Sequence, residues 1–163
     1  MFGTLPHNAF CYILNNMDQS QFIGSTAFKL HRATVLVDRL ADDYLLANHG
    51  IRYAPFLVLL MARVLGPTTQ QSIAANLGVS RASVTQRVGV LVTAGLITAR
   101  QSAADSRANT IELTEAGARL VEAAWIGLET KQDGLSEGID EAALSQQLDI
   151  LIASATRAIG AAR

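Results

Sequence analysis

Three residues at fixed intervals constrain this chain more than anything else in it. Ala74, Gly78 and Val84 stand four and six positions apart within the run TTQQSIAANLGVSRASVTQRVGVLVTAGLI, residues 68–97. Thr69 is placed to cap a first helix, with Ile73, Ala74 and Leu77 on its inward face. Gly78 supplies the left-handed residue that ends that helix, and Val79 turns inward. Ser80 then caps a second helix whose buried face is Val84, Val88 and Leu91. Ala74 has to be small because two helices cross there, and Val84 fills the angle between them. These intervals predict a helix-turn-helix.

The residues after the second helix predict a wing. Gly95 ends that helix, residues 96–100 have strand character, and Asn109, Ile111 and Leu113 alternate with Ala108, Thr110 and Glu112 as a second strand. Between them, residues 101–107 form a polar loop without a large apolar side chain. Upstream, residues 25–48 predict a long helix in which Leu30, Ala33, Val37, Leu40 and Tyr44 recur at steps of three and four, with Gly50 as its stop. Residues 52–65 predict a second, strongly apolar helix with Pro55 in its first turn, ended by Gly66-Pro67. Downstream, Thr114 caps a helix that starts at Glu115 and runs to about residue 131, and Asp140 caps a last one. That last helix carries Leu144, Leu148, Leu151, Ala155 and Ile159 on one face. Residues 1–20 have no clean period, yet Phe2, Phe10, Tyr12, Ile13 and Leu14 are too apolar for a solvated tail, so a docked arm is expected.

The expected fold is therefore mainly α with a small β-hairpin wing: a winged helix-turn-helix flanked by N- and C-terminal dimerisation helices. The expected boundaries are an arm over 1–24, a dimerisation helix over 25–50, the winged helix over 51–113 and C-terminal dimerisation helices over 114–163. The apolar seams at Leu30–Tyr44 and Leu144–Ile159 suit a subunit interface, packing within the chain being the alternative.

Composition narrows the function classes. The chain has 163 residues, half of them apolar, which suits one domain or two small units and excludes a disordered chain. Its single cysteine, Cys11, excludes an internal disulfide framework and a multi-thiolate metal site. No Lys or Arg precedes Lys29, so no secretory signal is expected, and every long apolar run is interrupted by Asn, Gln, Gly or Arg, so no membrane span is expected. A cytoplasmic location is the resulting expectation. There is no Gly-x-Ser-x-Gly elbow, phosphate-binding glycine loop or His-Glu-x-x-His, and His7, His31 and His49 share no ligand spacing. No enzyme, metal or cofactor is expected.

Net charge is close to zero, but its distribution is uneven. Residues 63–107 hold Arg63, Arg81, Arg87, Arg100 and Arg107 against Asp105 alone, whereas the remainder holds eight basic and thirteen acidic residues. A basic middle between acidic ends points to an anionic partner for the helix-turn-helix.

The sequence resembles the MarR family of bacterial transcription regulators over about residues 28–125. The resemblance rests on the helix-turn-helix, on Asp105 and Arg107 in the Asp-x-Arg of the wing, and on Leu113, Thr114 and Gly117 in the Leu-Thr-x-x-Gly that leads into the next helix. It implies a homodimer that binds double-stranded DNA at a palindromic operator. The usual role is that of a repressor, released by a small aromatic or anionic effector or by oxidation.

On that basis Ser80, Arg81, Ser83, Thr85, Gln86 and Arg87 form the candidate groove-reading face. Arginine on guanine and glutamine on adenine each give about 1–3 kcal/mol of discrimination. Arg81 and Gln86 are assigned to bases, Thr85 and Arg87 to bases or phosphates, and Gln70 and Gln71 to phosphate. Polar residues that merely face water are the alternative. Arg107 resembles the family's wing arginine that enters the minor groove, and Asp105 the acid that braces it. The wing has few cations, which predicts a shallow salt dependence. An effector pocket would be lined by His31, Arg32, Arg52, Tyr53 and Phe56. Cys11 lies well upstream of the position used by the peroxide-sensing branch, which aligns with Phe28, and no cation neighbours it in sequence to lower its pKa, so it reads as a packed residue. The competing function is a winged helix that binds another polypeptide without specific DNA binding.

Overall fold

Helices in this chain start and stop where a side chain or a turn takes up the backbone groups their ends leave free. The computed structural model describes residues 19–101, 109–130 and 137–161. The chain divides into two compact units, Met1–Val121 and Glu122–Arg163. A short helix α1 (Gln19–Gly24) is followed by Ser25, whose hydroxyl accepts from the Phe28 N–H at 3.2 Å and caps the long α2 (Thr26–His49). Gly50 closes α2, and the chain turns through 83° into α3 (Tyr53–Leu65).

The helix-turn-helix follows the predicted intervals closely. Strand β1 (Thr68–Thr69) leads into α4 (Gln70–Leu77), capped by the Thr69 hydroxyl, which accepts from the Ser72 N–H at 3.1 Å. Gly78 has φ of 65°, a conformation that a residue with a Cβ enters only at a cost. There the Val79 N–H bonds back to the Ala74 carbonyl at 3.1 Å, which closes α4. Ser80 caps α5 (Arg81–Thr93) by accepting from the Ser83 N–H at 3.2 Å. Ala74 is nearly buried, and Val84, Val88 and Leu91 form the inward face of α5.

Strands β2 (Ile97–Gln101) and β3 (Asn109–Leu113) pair antiparallel, with Ile97 opposite Leu113 and Ala99 opposite Ile111. The sheet has a third member that the sequence does not signal: β1 pairs with β3, Thr68 opposite Ile111, giving the order β1-β3-β2. Two residues after Gly66-Pro67 are too few to show a period, and only pairing with β3 makes them a strand. The short α1 is likewise without a periodic signal. Residues 1–18, and with them most of the expected arm and Cys11, lie outside the described residues.

The core of the first unit is built around α3, which packs against α2, α4, α5 and β3. Phe56, Val58 and Leu59 are fully buried with Ile73, Val84 and Ile111. Each such side chain contributes about 1.5–3 kcal/mol by leaving water. Helix α6 (Glu115–Thr130) begins at Thr114, whose hydroxyl accepts from the Gly117 N–H at 3.0 Å and donates to the Gly95 carbonyl at 2.8 Å. Gly117 lies so close to Leu96 that a Cβ there would stand 2.0 Å from its carbonyl oxygen. In the second unit Asp140 caps α7 (Glu141–Ala161), accepting from the Ala143 N–H at 2.9 Å. No residue of α7 is buried, and in α2 Leu30, Val37 and Leu40 are exposed as well.

Candidate nucleic-acid interface

Helix α5 sorts its residues by face. Every fourth or third position sinks into the core, which leaves the first turn and the polar stripe outside. Arg81 and Gln86 are exposed and Arg87 is half-buried. Among the described residues neither guanidinium makes a hydrogen bond or an ion pair, so both keep all five donors. The hydroxyl groups differ. Ser80 is exposed, but its oxygen already accepts from the Ser83 N–H, and Ser83 itself is half-buried. Thr85 is exposed, yet its hydroxyl reaches Gln70 Oε1 at 2.6 Å and the Arg81 carbonyl at 3.0 Å.

The structure therefore brings Gln70, at the start of α4, against the outer face of α5, a contact fifteen residues apart that sequence spacing does not reveal. Gln71, beside it, is exposed. Arg100, exposed on β2, extends the cationic surface along the hairpin. Its strand position was legible, but not its exposure. Asp105 and Arg107 lie outside the described residues.

The residues expected to line an effector pocket sit in different surroundings. Phe56 is 0% exposed, enclosed in the core because the apolar face of α3 meets four neighbouring elements. His31 and Arg32 are exposed on α2. Arg52 and Tyr53 belong instead to the corner between α2 and α3. There Asp42 Oδ2 receives Arg52 Nη1 at 2.6 Å, and Asp42 Oδ1 accepts from the Tyr53 backbone N–H at 2.7 Å. That backbone N–H, then the Arg52 side-chain bond, hold the Asp42 carboxyl below its ordinary pKa. Burial, with the Asp38 charge behind it, pushes the Tyr53 phenol up. A shallow groove of about 320 Å³ lies elsewhere, at the C-terminal end of α3, lined by Ala62, Arg63, Gly66, Pro67, Glu112, Leu113 and Ala118. Among the described residues no cluster of three or more His, Cys, Asp or Glu could hold a metal ion. No described helix is by itself long and apolar enough to cross a membrane.

Two crossed helices followed by a paired hairpin, with the second helix presenting cations that have no partner among the described residues, define a winged-helix protein. The model of the MarR family matches residues 49–108, the segment that carries this head. The chain is also similar to solved MarR-family structures. One is a transcriptional regulator from Rhodococcus sp. RHA1, at 26% identity and a TM-score of 0.70, covering 83% of this chain and 94% of that one. A mutant of MarR from E. coli complexed with operator DNA shares 25% identity, with a TM-score of 0.71 and coverage of 83% and 98%. CouR from Rhodococcus jostii RHA1, bound to p-coumaroyl-CoA, shares 25% identity, with a TM-score of 0.69 and coverage of 78% and 88%. No curated protein matches the chain by sequence. Residues 49–108 thus match the MarR family, and the chain is similar to MarR-family transcriptional regulators over most of its length.

Proposed function

We propose that this chain acts as a homodimeric, sequence-specific repressor that binds a palindromic operator and is released by a small aromatic or anionic effector. The observation that carries the proposal is the outer face of α5, where the side-chain polar groups of Arg81, Gln86 and Arg87 have no partner among the described residues, beside a core filled by the same helix. A single winged helix reads only a few base pairs. Two heads about one helical turn apart read a palindrome, which needs a twofold pair.

Exposed apolar side chains supply the material for such a pair. Val35, Leu36, Val37 and Leu40 on α2 and Ile150, Leu151, Ile152 and Ile159 on α7 are open to water in the single chain. Residues 25–50 and 114–163 are accordingly assigned to dimerisation, 1–24 to an N-terminal arm, and 51–113 to reading. Arg107 is assigned to the minor groove and Asp105 to bracing it. The effector assignment is supported by CouR, which was solved with p-coumaroyl-CoA. In this chain its starting points are the exposed His31 and Arg32 on α2 and the Arg52–Tyr53 corner rather than Phe56.

The test is selection of duplexes by the purified protein from a random pool, followed by titration of the best one. Enrichment of an inverted repeat, weakened about tenfold or more by Arg81→Ala and by Arg107→Ala with the dimer intact, is the expected result. Equal retention of all sequences would refute specific reading, and unchanged binding by Arg107→Ala would remove the wing from it.

A further inference from the structure

Thr85 stands among the residues assigned to bases or phosphates, but its one proton is already committed. Oγ1 lies 2.6 Å from Gln70 Oε1 and 3.0 Å from the carbonyl of Arg81, one turn earlier. A hydroxyl donates once, and the shorter, side-chain contact is the better bond. Gln70 is half-buried at the head of α4, so this bond ties the two helices of the reading unit together across their angle.

The consequence falls on Gln70. With Oε1 accepting from Thr85, the amide is fixed about its last torsion, and its NH2 group is left with two donors and, among the described residues, no acceptor. A glutamine on a surface normally loses much of its side-chain freedom when it binds, and here Thr85 has removed part of that freedom in advance. The neutral NH2 suits a phosphodiester oxygen, which carries position but no sequence.

We infer that Thr85 is a positioning residue: it holds the Gln70 amide for a backbone phosphate of duplex DNA and reads no base itself. The inference rests on α5 facing DNA, the reading under Proposed function, and it reassigns one residue of that face.

The test compares Thr85→Val, Thr85→Ser, Gln70→Ala and the Thr85→Val/Gln70→Ala double variant of the full chain. Each is titrated on the selected duplex and on a panel with single base-pair changes. Thr85→Val is expected to weaken every duplex by a similar factor, about fivefold, leaving their ranking and the salt dependence unchanged because no cation is lost. Gln70→Ala should do the same, the double variant should be no weaker than the worse single variant, and Thr85→Ser should restore most of the affinity. A changed ranking at one base pair in Thr85→Val would make Thr85 a base reader and overturn the inference. So would losses that multiply in the double variant, or a Thr85→Val protein that binds as wild type. Wild-type protein that retains no duplex at all would instead remove the DNA reading itself, and the role of Thr85 with it.

Discussion

The same apolar spacing has opposite fates in the two kinds of helix in this chain. In α5, residues at steps of four and three sink completely: Val84 is 0% exposed and Leu91 1%. In α2, residues at the same steps stay outside, with Leu40 51% exposed, and in α7 Ile159 is 60% exposed. Periodicity reports which side of a helix avoids water; it does not report what covers that side. The reading head supplies its own cover, because α3 brings an almost wholly apolar surface to four neighbours. Helices α2 and α7 carry more apolar surface than the single chain hides, and the proposed dimer is what would cover it.

The largest expected effect tests the self-covered half. Phe56→Ala leaves a cavity at the centre of the head and should cost about 3–5 kcal/mol, read as a lower urea midpoint. A loss under about 1 kcal/mol would mean that Phe56 is not enclosed in the core and would reopen its role near an effector. The uncovered half is tested by Leu40→Asp. In the single chain this exposed site tolerates a carboxylate, so a monomer would lose almost nothing. In a dimer that buries Leu40, the change should cost about 3 kcal/mol, more than a hundredfold in dissociation, and sedimentation should shift toward the monomer. An unchanged profile would exclude this stretch of α2 from the interface.

A third effect sits between the sheet and α6. Gly117→Ala sets a methyl group against the Leu96 carbonyl and should cost about 2 kcal/mol, since backbone rather than a flexible side chain has to yield. A neutral Gly117→Ala would mean that α6 starts farther from Leu96, with Thr114 released from the Gly95 carbonyl.

Local chemistry explains what could be read from the sequence. Caps and turns are written within four residues, so Thr69, Gly78, Ser80, Thr114 and Asp140 were all legible in the chain alone. Strand β1 was not, because it exists only through its pairing with β3. The reading face was legible as a stripe of polar residues, but the division of labour within it was not. That Thr85 spends its hydroxyl on Gln70 depends on the crossing angle of two helices, which no spacing encodes. The burial of Phe56 was not legible either, for a similar reason. An aromatic residue in an apolar helix suits a pocket and a core equally well until its neighbours are known.

The smallest expected effect concerns the corner that joins the two kinds of helix. Asp42 on α2 both receives Arg52 and accepts from the first N–H of α3, so it ties the long helix to the head at their 83° turn. Both contacts favour its charged form and lower its folded pKa from the usual value of 3.8. A depressed carboxylate stabilises the fold above the unfolded pKa, and this contribution disappears as pH falls through the folded value. Asp42→Asn keeps an acceptor for the Tyr53 N–H but discards the charge. Since the Arg52 side chain is 62% exposed and screened by water, the variant should lose no more than about 1 kcal/mol at pH 7. That difference from wild type should stay flat down to about pH 5 and narrow in more acidic solution as Asp42 is protonated. Urea midpoints of both proteins from pH 7 to pH 3 measure it directly. A gap that widens in acid would reverse the sign and show that the charge opposes the corner instead of holding it.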